Sequence, residues 1–327
     1  MAQNLTIMRK FYSLLGMRIF ITLIIFFSIS AQALETDNYL AWTTDIKDSS
    51  KKINLFLEQE IKSALAELNS ESFSQDCVQV TRHIASRFRA RFVHDNPIEL
   101  WLLKNLEREE FFPHTIDHVE ESIYRIPHRF YLPEFGLAPN IRVNGVNFGM
   151  DKLTHWSSTG RHYFNVFLIG KKLDDSDLEA TLRAIDYGIL DELTLHGFWA
   201  SGVFSFADLE ANYQGFLFYK KLCLNKKESY LKQSSSGEWG LIKSPKIEDY
   251  VNPDWDETFN TSYLEEKNWR KVSPIIKEAY CPLWNQKKIY DYRKKSFSSK
   301  YLNSLSENFE KNVPPRFKQR HDNLCRE

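Results

Sequence analysis

Three polar pairs between residues 151 and 212 constrain this chain more than any other feature. They are Asp151 with His155, Glu192 with His196, and Asp208 with Asn212, each spaced i and i+4 in a helical pattern. Residues four apart share a helix face, so each pair presents two polar heads from one side. In the first stretch Asp151, His155, Ser158 and His162 step by 4, 3 and 4. In the second, an apolar stripe of Leu178, Leu182, Ile185 and Ile189 runs on into Glu192 and His196. In the third, Ser205, Asp208, Asn212, Gly215 and Tyr219 trace one line, on which Gly215 admits the close approach of another helix. An unpaired buried charge is strongly destabilising, so Glu192 and His196 on a core-facing stripe require partners. The pattern predicts three helices, over about 149–169, 176–197 and 205–223. They enclose one cluster of Asp151, His155, Glu192, His196, Asp208 and Asn212, with Lys152, Arg161 or Arg183 as a neutralising cation.

The ends of the chain and its cysteines set the context. Arg9, Lys10 and Arg18 precede an apolar run over 19–27, and the small-residue site Ala31-Gln32-Ala33 follows. That order reads as a secretory signal peptide over 1–33, and the apolar run is short for a membrane span. No later stretch is apolar enough to cross a bilayer. Without residues 1–33 the chain carries 40 basic against 43 acidic residues, a balance that argues against a nucleic-acid binder. Cys77, Cys223, Cys281 and Cys325 are too dispersed for zinc ligation. In a secreted or periplasmic chain an even count predicts two disulfides, with three pairings open.

Residues 34–327 read as a single, mainly α-helical domain, an irregular bundle with peripheral helices and a loop-rich C-terminal arm over about 225–327. Ile53, Phe56, Leu57, Ile61, Leu65 and Leu68 predict a helix over 51–69. Ser74 is the expected cap of a second, Arg-rich helix, whose basic face suits solvent or an anion. Asn96-Pro97 opens a third. Prolines and glycines make 111–147 irregular and aromatic. Its aromatics, with those of 198–206, either fill the core or line a groove for a lipid or peptidoglycan-like ligand. Ser176 with Glu179, and Ser205 with Asp208, have capping-box spacing at the starts of the second and third core helices. A short β-hairpin is expected near 238–262, and further helices near 263–281 and 285–310.

Three chemistries fit the cluster. It is a satisfied hydrogen-bond network that fixes helix packing, or a divalent-metal site, or a metal-free acid/base centre. As a metal site it would use His155, His196 and Asp208, a donor set that suits zinc. As an acid/base centre it would use His155 or His196 with Asp151, Glu192 and Asp208. Lys152, Asn212 and His162 are the accompanying ligand-binding candidates. Ser157 or Ser158 is a weak nucleophile candidate, because no G-x-S-x-G elbow surrounds either.

Asp151-Lys152-Leu153-Thr154-His155, followed by Ser205-Phe206-Ala207-Asp208-Leu209-Glu210-Ala211-Asn212-Tyr213-Gln214-Gly215, resembles a D-K-x-x-H … S-x-x-D-x-x-A-N-x-x-G pattern. Over about 147–222 the chain is similar to VanZ-like proteins and to a related family of predicted bacterial periplasmic proteins of unknown function. VanZ-like proteins span the membrane several times, whereas charges interrupt every helix here. The resemblance implies a cell-envelope setting, with Asp151, Lys152, His155, Asp208, Asn212 and Gly215 as the shared set, and it implies no reaction. The expectation is a secreted envelope protein whose buried cluster holds a metal or ligand and acts on an envelope component. The alternative is a non-catalytic envelope scaffold or binding module, so whether the chain is an enzyme stays open.

Overall fold

The computed structural model describes residues 35–70, 76–89, 96–113, 122, 137–194, 197–225, 227–283, 319–320 and 324–325. The signal segment, His196, the loop histidines His114, His118 and His128, and the helix expected over 285–310 lie outside the described residues.

Helix α1 (Ser50–Ser70) buries Ile53, Phe56, Leu57, Ile61, Ala64, Leu65 and Leu68, the stripe that its spacing predicts. Helix α2 (Cys77–Arg87) is capped by Asp76 in a capping box with Gln79, two residues beyond the expected Ser74. Asn96 caps α3 (Pro97–Asn105), and its proline occupies the first turn, where no N–H is needed.

The irregular stretch holds a small antiparallel sheet that its hydrophobicity conceals. It comprises β1 (Phe111–Phe112), β2 (Asn140–Val143) and β3 (Val146–Gly149), in the order β1-β2-β3. Asn144 and Gly145, at φ 49° and 79°, form the two-residue turn between β2 and β3, a conformation that favours these two residues.

Strand β3 leads into the first core helix, which has three parts. They are α4 (Asp151–Thr154), a π-helical segment His155–Thr159 and α5 (Gly160–Lys172). The Gly160 N–H bonds to the His155 carbonyl, closing the wider turn. Helix α6 (Asp177–Leu193) starts at the Ser176/Glu179 capping box and ends four residues before the expected 197. Its buried face runs through Ala180, Thr181, Ala184, Ile185, Gly188 and Glu192. The predicted stripe was therefore partly wrong, since Leu178 is 52% exposed. Small residues face inward because α5 lies close, with the Tyr163 ring against Gly188.

A short helix α7 (Phe198–Ser201) and strand β4 (Val203–Phe204) precede α8 (Phe206–Cys223). Helix α8 is buried on nearly every side, between α5, the π segment and the later loops. The hairpin is β5 (Leu231–Gln233) with β6 (Trp239–Leu241), which begins earlier than the expected 238–262. Strand β7 (Tyr263–Leu264) instead pairs with β4 and with β8 (Gln319–Arg320), and α9 (Glu266–Ile275) follows β7.

The disulfides are Cys77–Cys223, joining the start of α2 to the end of α8, and Cys281–Cys325. The main apolar core gathers α1, α2, the β2–β3 hairpin, α5, α6 and α8. A smaller cluster contains Phe198, Phe204, Phe206, Leu209 and Tyr263, so these aromatics of 198–206 fill core rather than line an open groove. No helix among the described residues is long and apolar enough to cross a membrane.

Candidate metal centre

Lys152 is fully buried, and three carboxylates surround its ammonium group. Its Nζ lies 2.6 Å from Asp151 Oδ2, 2.7 Å from Asp208 Oδ1 and 2.7 Å from Glu257 Oε1. It donates hydrogen bonds to Asp151 and Glu257, while Asp208 is held as an ion pair whose Oδ1 is a buried acceptor without a hydrogen bond. The carboxylates outweigh burial and hold Lys152 well above the usual lysine range, so it stays charged.

The π segment aims the neighbouring histidine. The extra residue in its turn sends Trp156, Ser157 and Ser158 into the core and leaves His155 facing α8. There the third polar pair clamps it. His155 Nδ1 is 3.2 Å from Asn212 Oδ1, and His155 Nε2 is 3.4 Å from Asp208 Oδ2. Burial would raise Asp208, but His155 and then Lys152 hold it below the usual carboxylate range.

Close helix contact makes this geometry reachable. A Cβ on Gly160 would lie 2.7 Å from Gly215 Cα, and one on Gly215 would strike the Trp156 carbonyl. The π turn alters carbonyl bonding locally, and Tyr219 of α8 donates its hydroxyl to the Ser157 carbonyl at 2.5 Å.

Glu192 takes a different part from the one its stripe suggested. Its Oε1 accepts the Ser205 N–H at 2.8 Å, while Ser205 Oγ accepts the Asp208 N–H at 3.1 Å. In a capping box the acid three residues after the cap makes the first of these bonds. Here Glu192 makes it, which leaves Asp208 to face Lys152 and His155. Burial, with Asp208 next, pushes Glu192 well above its ordinary value.

Several contributors carried no periodic signal. Glu257, in the Trp255-Asp256-Glu257-Thr258-Phe259-Asn260 loop, also accepts the Ser205 hydroxyl at 3.0 Å. Burial pushes it up to about 7 against the pull of Lys152. Thr36 donates its hydroxyl to Asp151 Oδ1 at 2.7 Å. Half-buried Glu35 is raised by burial and by Asp208 and Glu257. Glu99, bonded to the Thr154 hydroxyl, is pushed up to about 8 by burial.

Of the predicted residues, Asp151, Lys152, His155, Asp208 and Asn212 meet, with Glu192 joined through Ser205. His162 does not join them: the π turn shifts the stripe, and its Nε2 sits 2.9 Å from an Arg161 nitrogen. Arg183 pairs with Asp175 at 2.8 Å, away from the cluster. Ser157 and Ser158 both accept from Asn96, and Ser158 donates to the Phe88 carbonyl, so neither is placed as a nucleophile for His155.

Asp151, His155 and Asp208 offer one donor atom each within 4.8 Å of one another. When Asn212 Oδ1 accepts from Nδ1–H, the Nε2 lone pair of a neutral ring faces the Asp208 Oδ2 lone pairs at 3.4 Å. That contact is repulsive unless a proton or a cation lies between the two atoms. With metal–ligand bonds of about 2.1 Å, donors 3.4 Å apart subtend about 110°, close to the tetrahedral angle zinc adopts. The His155–Asp208 edge therefore has the spacing of two ligands of a divalent transition ion, with Asp151 as the nearby third donor and Asn212 fixing the imidazole as an outer partner. A mixed-charge surface cleft around Lys47, Glu107, Glu110 and Glu248 shares no residue with this cluster. No protein-family model, curated protein or solved structure matches the chain.

Proposed function

We propose that Asp151, His155 and Asp208 hold a divalent cation, zinc being the best fit, in a protein of the bacterial envelope. The observation that carries this reading is the Asp208–His155–Asn212 line, which sets one imidazole nitrogen on Asn212 and the other 3.4 Å from a carboxylate oxygen. The charge balance supports it. Asp151, Asp208 and Glu257 all face the single ammonium of Lys152. Secretion is supported by the signal-like segment over 1–33 and by two disulfides, which persist in oxidising compartments.

Three protein donors leave a coordination position for water, the pattern of hydrolytic zinc sites. We assign the centre to metal-assisted hydrolysis of an envelope component. A bound ion would supply the acidified water. The chain's own residues orient and carry protons: Asn212 sets the His155 ring, Lys152 fixes the carboxylates, and Glu257, held at about 7, can exchange a proton near neutrality. Half-buried Glu35 is the neighbouring carboxyl nearer to solvent.

One observation favours a second reading. Lys152 donates hydrogen bonds to Asp151 and Glu257 and ion-pairs with Asp208, so the network holds together without a second cation and serves, on this reading, as a packing lock in a non-catalytic scaffold. His155→Ala and Asp208→Asn separate the two. On the metal reading both stay folded by circular dichroism and lose the zinc that elemental analysis finds in the wild type. A natively purified wild type without metal, with both variants unfolded, would instead establish the lock.

A further inference from the structure

The first turn of α5 carries a second unusual cation, which the proposed metal centre does not use. Arg161 is largely buried, and its Nε is a buried donor without a hydrogen-bond partner. Among the described residues no carboxylate pairs with it. The groups whose charge acts on it are the phenols Tyr219 and Tyr187 and Arg89, just beyond α2. His162, the next residue, presents Nε2 at 2.9 Å from an Arg161 terminal nitrogen. Two other basic groups of α2 are engaged, since Arg87 and His83 both pair with Glu67. Arg89 is exposed, and its like charge acts on Arg161.

Arginine keeps its charge under nearly all conditions, so a buried guanidinium without an acid is unfavourable unless an anion neutralises it. Burial and the like charge of Arg89 both weaken Arg161's hold on its proton, the opposite of what a structural ion pair does. The planar fork of donors suits a tetrahedral oxyanion, to which it can bond twice.

We propose that Arg161, Arg89 and His162 form an anion site that takes a phosphate group, from free phosphate or from a lipid headgroup. His162 then has a role beside Arg161, set by the same π turn that removes it from the metal centre. The proposal does not rest on the cation reading.

The test uses the full processed chain. Inorganic phosphate is titrated against chloride at matched ionic strength, followed by thermal melting and calorimetry. Co-sedimentation compares phosphatidylglycerol with phosphatidylcholine vesicles. Phosphate should raise the wild-type melting temperature relative to chloride. Arg161→Gln should abolish that rise and weaken phosphate at least tenfold, while leaving zinc binding unchanged. Arg89→Gln, at an exposed position and safe for folding, should weaken phosphate several-fold, and it carries the test if Arg161→Gln does not fold. Phosphatidylglycerol binding that both substitutions reduce identifies a headgroup as the source. Phosphate binding without vesicle binding identifies the free anion. Absence of any phosphate or vesicle effect on the wild type, or effects that neither substitution changes, overturns the proposal.

Discussion

Single residues decide whether this cluster stabilises or strains the fold. Lys152 pairs with Asp151, Asp208 and Glu257 with little access to water. Removing it would leave three buried acids, one of them already raised by burial. Lys152→Met is expected to lose at least about 3–5 kcal/mol in urea unfolding, the range for breaking a buried ion pair from one side. Glu192 acts on a smaller scale. Glu192→Ala strips the Ser205 N–H of its acceptor and is expected to lose about 1–3 kcal/mol in the same measurement. Glu192→Gln, which keeps an acceptor oxygen, should recover most of that loss. If the alanine variant were as stable as the wild type, the shared capping arrangement would have no energetic weight.

Helices bring these residues together by approaching closely, and that part was readable from the sequence. Helical spacing located the three core helices, and Gly215 on the polar line of the third predicted a tight crossing, where it meets Gly160 and Trp156. Capping chemistry marked the starts of α6 and α8 at Ser176 and Ser205. Other features left no local trace. The π turn at His155–Thr159 breaks the 4-3-4 step, so His162 read as part of the cluster although it turns to Arg161. Inward-facing Ala180, Ala184 and Gly188 look weakly hydrophobic, so the apolar pattern of the sequence passes instead through Leu178, which is exposed. Glu257 and Thr36 arrive from distant segments, and no periodicity can announce a long-range contact. Gly215→Ala forces a Cβ into the Trp156 carbonyl and is expected to destabilise the chain by about 1–3 kcal/mol, the range for overpacking. It should weaken zinc binding as well, because the clash separates the helices that carry His155 and Asp208.

At the scale of the whole molecule, several buried acids make stability depend on pH. Burial pushes Glu257 and Asp254 up to about 7 and Glu99 up to about 8. A carboxyl raised on folding keeps its proton in the native state after the unfolded chain has lost it. Stability therefore falls as pH rises from the ordinary carboxylate range through these raised values. Asp208 has the opposite sign, but its window lies below its ordinary 3.8 and is complete before this one opens. Chelator-treated protein is expected to unfold at lower urea at pH 8 than at pH 5, by several kcal/mol, since each raised group contributes roughly 1.4 kcal/mol per pH unit. Equal stability at the two pH values would mean that these carboxyls are ionised in the fold at little cost. The central claim concerns the cation, and cobalt(II) titration of chelator-stripped protein tests it most directly, because tetrahedral cobalt gives intense visible bands. One equivalent should produce those bands in the wild type, zinc should erase them, and Asp208→Asn should never develop them. Folded wild-type protein that takes up no cobalt, or takes it up equally when Asp208 is changed, would contradict the account.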